Sequence, residues 1–283
     1  MESKDLEYSV ENKIATITLN RPDSMNALVA EMYYGLIELL DKADNDDNVR
    51  AVVITGNGKC FCSGQDLSAG NKFGQQVDNI EDYRDRGGLV ALRIYKMNKP
   101  CIGAINGSAV GIGITMTLPM DIRVVSNKAK IGFVFSRRGI INEACSSYFL
   151  PRLVGVGKAL EWLMSGRTFT AQEGYEAGLF TRVVEPEAVL PIAYEYAREI
   201  AIHAAPVSVA LSRRLIWDMQ SADHPLTAHD LESRCMFYLA RQQDAKESVA
   251  SFVEKRLPEW KMSTTKDMPP FFPFREEPIF RGK

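Results

Sequence analysis

One acid stands alone in a stretch of apolar and small residues. In GIINEACSSYFLPRLVG (139–155), Glu143 follows Ile140 and Ile141 and precedes Ala144, Cys145, Ser146 and Ser147. A carboxyl so placed has two physical uses. Buried among Phe133, Phe135, Ile140 and Ile141, it would be pushed above its ordinary ~4.3 toward the range of a general base. In the first turn of a helix beginning near Ala144, it would stay ionised and offset the helix dipole. Two further stretches share another chemistry: KCFCSGQDLS (59–68) and INGSAVGIGIT (105–115) each follow an apolar run and place small residues where the backbone must turn. Glycine at a strand-to-helix turn lets peptide N–H groups face a ligand. Two such turns could aim one N–H each at a single oxygen, forming an oxyanion hole in which one donor is typically worth ~2.7–4 kcal/mol of barrier lowering. The same glycines, Gly111 and Gly113 among them, also fit a plainer use, the close packing of helix on strand.

Other chemistries lack their residues. The three histidines (His203, His224, His229) lie in the C-terminal third with no HExxH pattern, which argues against histidine-zinc sites and Ser-His or Cys-His triads. The five cysteines (Cys60, Cys62, Cys101, Cys145, Cys235) are an odd count without a CxxC pair, so neither a disulfide framework nor a metal site is expected. A net charge of -2 gives no field that would capture nucleic acid. The N-terminal segment is charged, and no window approaches the ~18 apolar residues of a membrane span, so a cytoplasmic protein with no membrane partner is expected. The final FRGK is not a peroxisomal address of the Ser-Lys-Leu type.

The elements that must position these residues read as an α/β pattern. KIATITL (13–19) is a strand ending in a turn at Asn20-Arg21-Pro22-Asp23; Leu28, Met32, Leu36, Leu39 and Leu40 recur at helical spacing over 26–43; AVVITG (51–56) is a buried strand. The order repeats with CIGAING (101–107) as strand, GIGITMTLPM (111–120) as helix and IRVVS (122–126) as strand, which predicts stacked similar units. Between the units, 68–88 is a polar, Gly-rich loop of the length of a functional lid. Beyond Val184, helices are expected at 187–202, 206–219, 227–241 and 245–256. The Pro- and Phe-rich end is expected to lie extended on a neighbouring surface.

These segments resemble a known family. FCSGQDL is similar to the F-x-x-G-x-D-L/I stretch of the crotonase (enoyl-CoA hydratase/isomerase) superfamily, and AINGSAVGIGI…DIRVVS to its A-x-N-G-x-A-x-G-G-G…D-I segment. LNRPDSMNAL (19–28), LMSGRTFTAQEGYEAGLFTRVV (163–184) and SFVEKR (251–256) extend the resemblance over nearly the whole chain. It implies an α/β fold: a crotonase-like spiral of ββα units over 1–200 carrying an acyl-CoA site, a C-terminal helical trimerisation region over 201–262 and an extended tail over 263–283. It implies an acyl-CoA thioester as substrate, no separate cofactor, and a homotrimer or dimer of trimers. The oxyanion donors fall on the backbone N–H of Gln65 and Ile112, the latter standing where the family usually has glycine, so that a side chain narrows the pocket. Coenzyme A is expected along Met25, Ala27, Asp66 and Leu67, with Lys255 as a compact phosphate partner; a solvated lysine on an amphipathic helix is the plainer reading.

The acids separate the chemistries within that resemblance. The two glutamates of the hydratases are replaced by Thr115 and Phe135, while INEACSSY (141–148) is similar to the P-E-G-C-S-S-Y stretch of peroxisomal-type Δ3,Δ2-enoyl-CoA isomerases, with Asn142 in place of proline. That match puts the base on Glu143 and the acyl pocket on Thr115, Phe135, Ile140 and Tyr148. The implied reaction moves the double bond of a 3-enoyl-CoA to the 2-position. The alternatives are an enoyl-CoA hydratase or hydratase-lyase on an unusual acyl group, using the same glutamate, and a silent acyl-CoA binder.

Overall fold

The computed structural model describes residues 4–68, 77–276 and 278–280. The chain alternates between two sheets. It enters the larger with β1 (Leu6–Glu11), β2 (Ile14–Leu19) and β3 (Ala51–Gly56) and crosses to the smaller with β4 (Cys60–Cys62). It returns with β5 (Cys101–Ile105), crosses with β6 (Ser108–Val110), returns with β7 (Ile122–Ser126) and crosses with β8 (Lys130–Gly132). β9 (Thr168–Thr170) stays on the smaller sheet, and β10 (Arg182–Val184) completes the larger, whose order is β1-β2-β3-β5-β7-β10. The pairs β1–β2 and β8–β9 are antiparallel; the others are parallel. Helices fill the crossings: α1 (Ala30–Asn45) before β3, α2 (Arg86–Lys96) before β5 and α3 (Ile112–Thr115) before β7. This is the spiral of ββα units.

The continuous apolar runs of the central strands follow from burial on both faces. Ala51 and Val53 of β3 lie in one core with Ile102 and Ala104 of β5, while Val52 and Ile54 lie in the other with Leu36 and Leu40 of α1. After β8 come α4 (Ser146–Val154), α5 (Val156–Ser165), α6 (Ala171–Glu176) and, after β10, α7 (Pro186–Arg198). Ala193, Ala197 and Ala201 recur every four residues, one small-residue stripe against the first of those cores. Ala201, in a π-helical turn, Glu199–His203, is the last residue of that core.

Three helices follow: α8 (Pro206–Met219), α9 (Pro225–Leu239) and α10 (Gln243–Glu254). Val207, Leu211 and Cys235 form a small core with Met262, against which Met268, Phe271, Phe272 and Phe274 pack. The tail therefore folds back on its own helices and is not simply extended.

Three expectations change. The helix over 111–120 shrinks to α3, because Pro119 disfavours helix at Leu118 and the buried Arg123 guanidinium takes the carbonyls of Thr117, Leu118 and Met120 in place of helical N–H groups. The 68–88 loop falls partly on 69–76, outside the described residues, and from Arg86 it is the first turn of α2. β1, whose outward residues are mostly exposed, was not expected at all. No described helix is long and apolar enough to cross a membrane.

Candidate active site

A cavity of about 400 Å³ opens where the loop after β4, the start of α2, the start of α3 and the segment 134–143 meet, with Tyr33 of α1 on its wall. Glu143 lines it. The next two residues, Ala144 (φ 55°) and Cys145 (φ 54°), are left-handed, a conformation that costs a non-glycine residue of order 1 kcal/mol or more. Asp85 holds that bend. Its Oδ2 accepts the Ala144 N–H at 2.8 Å, while its carboxylate also caps α2 by accepting the N–H groups of Gly87 (3.1 Å) and Gly88 (2.7 Å). α4 begins at Ser146, whose N–H donates to the Glu143 carbonyl at 3.0 Å, so the acid precedes the helix and is not in its first turn.

The Glu143 carboxyl is lodged between two elements. Thr115 Oγ1 of α3 bonds its Oε1. On the other side the absence of a side chain at Gly87 makes room: a Cβ there would lie 1.7 Å from Glu143 Oε2 and 2.6 Å from Ile112 Cδ1. Glu143 is half-buried: it lines the cavity, with Thr115 against one carboxyl oxygen and the Gly87 backbone against the other. Burial pushes its pKa up to about 8, the Asp85 charge adds to the rise, and the Thr115 hydroxyl opposes it. Burial therefore outweighs hydrogen bonding, leaving an acid that exchanges its proton near neutral pH.

Opposite, two turns abut. Gly64 (φ 112°) and Gly111 (φ 56°) occupy backbone conformations that favour glycine, and a Cβ on Gly111 would lie 3.8 Å from Gly64 Cα. The next residues, Gln65 and Ile112, line the cavity, and among the described residues neither backbone N–H donates a hydrogen bond. Free N–H groups on two adjoining turns are what an oxyanion hole requires. Gly113 serves the plainer use: a Cβ there would lie 2.1 Å from the Cys62 carbonyl oxygen. The two readings of the glycines thus divide between neighbours.

A sequence model of the family described as enoyl-CoA hydratase/isomerase matches residues 9–263. The chain belongs to that family. It is 47% identical over 246 residues to the enoyl-CoA hydratase ACTT3 of Alternaria alternata, covering 87% of this chain and 82% of that protein. It is 32% identical over 258 residues to the 1,2-epoxyphenylacetyl-CoA isomerase of Escherichia coli (strain K12), covering 89% and 96%. Among solved structures, the enoyl-CoA hydratase of Bacillus anthracis superposes with a TM-score of 0.82 at 30% identity, covering 91% of this chain and 99% of that one.

This member of the enoyl-CoA hydratase/isomerase family brings some expected residues together and leaves others apart. Phe135 and Ile140 line the cavity, as does Leu67. Tyr148 does not: two positions along α4 from Ser146 it turns away, its ring 5.1 Å from Phe149 and under the Arg152 guanidinium at 3.6 Å. Met25 (φ 51°) and Asn26 (φ 54°) form a second left-handed pair, held by the buried Asn26 amide, which donates to the carbonyls of Asn57 (2.9 Å) and Cys60 (2.7 Å). Arg21 ties that strip to the donor loop, donating to the Ala27 carbonyl at 2.5 Å and pairing with Asp66 at 3.0 Å. Lys255 is the exposed left-handed cap of α10 and is not among the residues lining the cavity.

Several cavity residues escaped the sequence reading, Asp85 and Tyr33 among them with Tyr83, Arg84 and Arg86. Asp85 lay in a charged loop where no single carboxylate stood out, and its only local signal was the pair of glycines after it, which suit the crowded first turn of a capped helix. Tyr33, read as one more residue of α1, turns its ring to the cavity. Burial pushes its hydroxyl pKa up, and Glu143, Cys62 and Asp85 add to that rise. No group of three or more His, Cys, Asp or Glu gathers as a metal site among the described residues.

Proposed function

We propose that this enzyme moves the double bond of a 3-enoyl-CoA to the 2-position, with Glu143 as the single acid and base. The observation that carries the reading is one proton-exchanging carboxyl, with a pKa raised to about 8, sharing a cavity with two unused N–H groups while Thr115 and Phe135 stand at the hydratase acid positions. The Glu143 carboxylate takes a proton from C2, and the electrons move into the thioester carbonyl. The Gln65 and Ile112 N–H groups hold the resulting dienolate oxygen. The Glu143 carboxyl then returns the proton to C4, so the double bond moves with no net gain or loss of atoms. A pKa near the working pH suits an acid that must both take and give a proton. No resident cofactor is needed; coenzyme A is part of the substrate, and we place its arm along Met25, Ala27, Asp66 and Leu67, with Lys255 as a phosphate partner.

The name of the Alternaria relative supports a second reading, hydration of a 2-enoyl-CoA with Glu143 handling both protons through a water. One experiment separates the two. Purified protein is given 3-enoyl- and 2-enoyl-CoAs, and products are read by mass and by the ultraviolet absorbance of the conjugated thioester. The isomerase reading expects conjugation at constant mass, with Glu143→Gln losing about 10²–10⁴-fold in rate while still binding coenzyme A. Gain of one water from the 2-enoyl substrate with no shift of the 3-enoyl one would overturn it. We further propose that the enzyme is cytoplasmic and assembles as a homotrimer or dimer of trimers through α8 to α10.

A further inference from the structure

The cavity holds more positive charge than a proton shuttle and two N–H donors require. Arg84, Arg86 and Arg138 all line it. Arg84 is engaged: its guanidinium donates to the carbonyls of Glu81 (2.6 Å) and Tyr83 (2.8 Å) and lies 3.8 Å from the centre of the Phe280 ring, where the chain's own tail reaches the cavity rim. Arg86 and Arg138 are different. Among the described residues, no group accepts a hydrogen bond or pairs with either guanidinium.

Arg86 is the harder of the two to explain as a solvated side chain. It is half-buried, and as the first residue of α2 it puts a cation at the helix end where the dipole favours an anion. Its neighbour Asp85 spends its carboxylate on three backbone N–H groups. Glu143, mostly neutral at neutral pH, offers no fixed counter-charge. Arg86 lines the same cavity as Tyr33, Tyr83 and Glu143, and its charge opposes the upward push on the two tyrosine hydroxyls. A half-buried guanidinium without a partner lacks the pairing that offsets its lost hydration, and an anion bound in the cavity would supply it.

The position also separates two sources of that anion. In an acyl-CoA the phosphates are separated from the thioester by the whole pantetheine arm. A cation lining the same cavity as the acid assigned to C2 therefore lies on the acyl side of that arm.

We propose that the preferred acyl group carries a second carboxylate, received by Arg86 with the hydroxyls of Tyr33 and Tyr83 beside it. The substrate class is then a short enedioyl-CoA and not a plain fatty enoyl-CoA. Arg138, exposed at the rim, adds a second cation to the same cavity. This inference rests on the enoyl-CoA reading above.

The test compares hex-3-enoyl-CoA with its ω-carboxylated counterpart, hex-3-enedioyl-CoA, as substrates of wild type and Arg86→Gln. Binding of the saturated pair, hexanoyl- and hexanedioyl-CoA, is measured alongside by calorimetry. Wild type is expected to favour the carboxylated member of each pair, and Arg86→Gln to reduce that preference roughly 10- to 100-fold, chiefly through KM. Arg86→Lys should restore part of it, as a point charge without the guanidinium fork. No preference in wild type, or a preference that Arg86→Gln leaves unchanged, overturns the proposal. So does an equal weakening of inhibition by free coenzyme A, which would assign the anion to its phosphates. Absence of any double-bond shift alongside an intact, Arg86-dependent binding preference would instead defeat the isomerase reading and leave this one standing.

Discussion

Thr115 has one proton and two acceptors within reach, the Gly111 carbonyl at 3.1 Å and the Glu143 carboxyl. When Glu143 is protonated it can donate to Thr115, which then donates to Gly111; when Glu143 ionises, the hydroxyl proton can turn to the carboxylate. Thr115 thus favours the basic form, against a burial that pushes the pKa up to about 8. If the carboxylate is the working base, kcat/KM should rise with pH along a limb centred near that value. Thr115→Val, which keeps the shape and removes the hydroxyl, should move the limb to higher pH and lower the rate at neutral pH roughly 10-fold; a pH–rate profile of the two proteins checks this. Stability carries the same signature with the opposite slope. Below the ordinary carboxyl pKa of 4.5 folded and unfolded chains both hold the proton; between there and about 8 only the folded chain does. The unfolded state then binds fewer protons, so stability falls as pH rises through that window, and the loss is complete above it. Urea unfolding across the window should show this decline in wild type and a shallower one in Glu143→Gln.

At the scale of elements, the site depends on one close approach, the first turn of α2 against the Glu143 carboxyl. Gly87→Ala would put a methyl 1.7 Å from Oε2 where the helix backbone cannot yield, so the carboxyl must move. Alanine is otherwise the better helix former. The variant should therefore fold with native-like circular dichroism and thermal midpoint while losing at least about 10-fold in turnover, since misplacement of about 1 Å can cost on the order of 10²-fold. Equal loss of stability and rate would mean that α2 itself had shifted. This approach also marks what could be read in the sequence. β3 and β5 were plain because burial on both faces forces unbroken apolar runs, and Glu143 was plain because it is the one acid in a stretch of apolar and small residues. α2 was hidden: its first turn carries two glycines and the preceding segment is polar, both signs of a loop, and the reason for Gly87 lies in a residue far along the chain. Tyr148 misled for the converse reason, since adjacency to a site along a helix says little about direction when successive side chains turn about 100°.

At the scale of the whole molecule, α10 turns a carboxylate inward and an apolar stripe outward. It buries Asp244, whose carboxylate accepts the N–H groups of Lys261 (2.8 Å) and Met262 (3.3 Å), and it buries Ser251. Outward it presents Val249, Phe252 and Val253, with Phe252 84% exposed. Spacings of three and four put these side chains on one stripe, and Met236 and Phe237 of α9 add exposed apolar surface to the same helical region. A helix that buries Asp244 and Ser251 while leaving Val249, Phe252 and Val253 exposed turns an apolar stripe away from its own core, and that stripe calls for a partner. The spiral core does not need that partner for its own burial, because its sheets are covered by helices of the same chain. Disrupting the stripe should consequently lower the mass of the particle without unfolding the protomer. Burying one phenylalanine is worth roughly 1.5–3 kcal/mol, and a ring of three copies would use it three times. Phe252→Asp, which replaces that gain with repelling charges, should raise the concentration at which the proposed assembly dissociates by at least about 100-fold, as read by light scattering after size exclusion. Phe252→Leu should stay assembled. A wild-type protein that runs as a monomer at micromolar concentration would rule out association through this face.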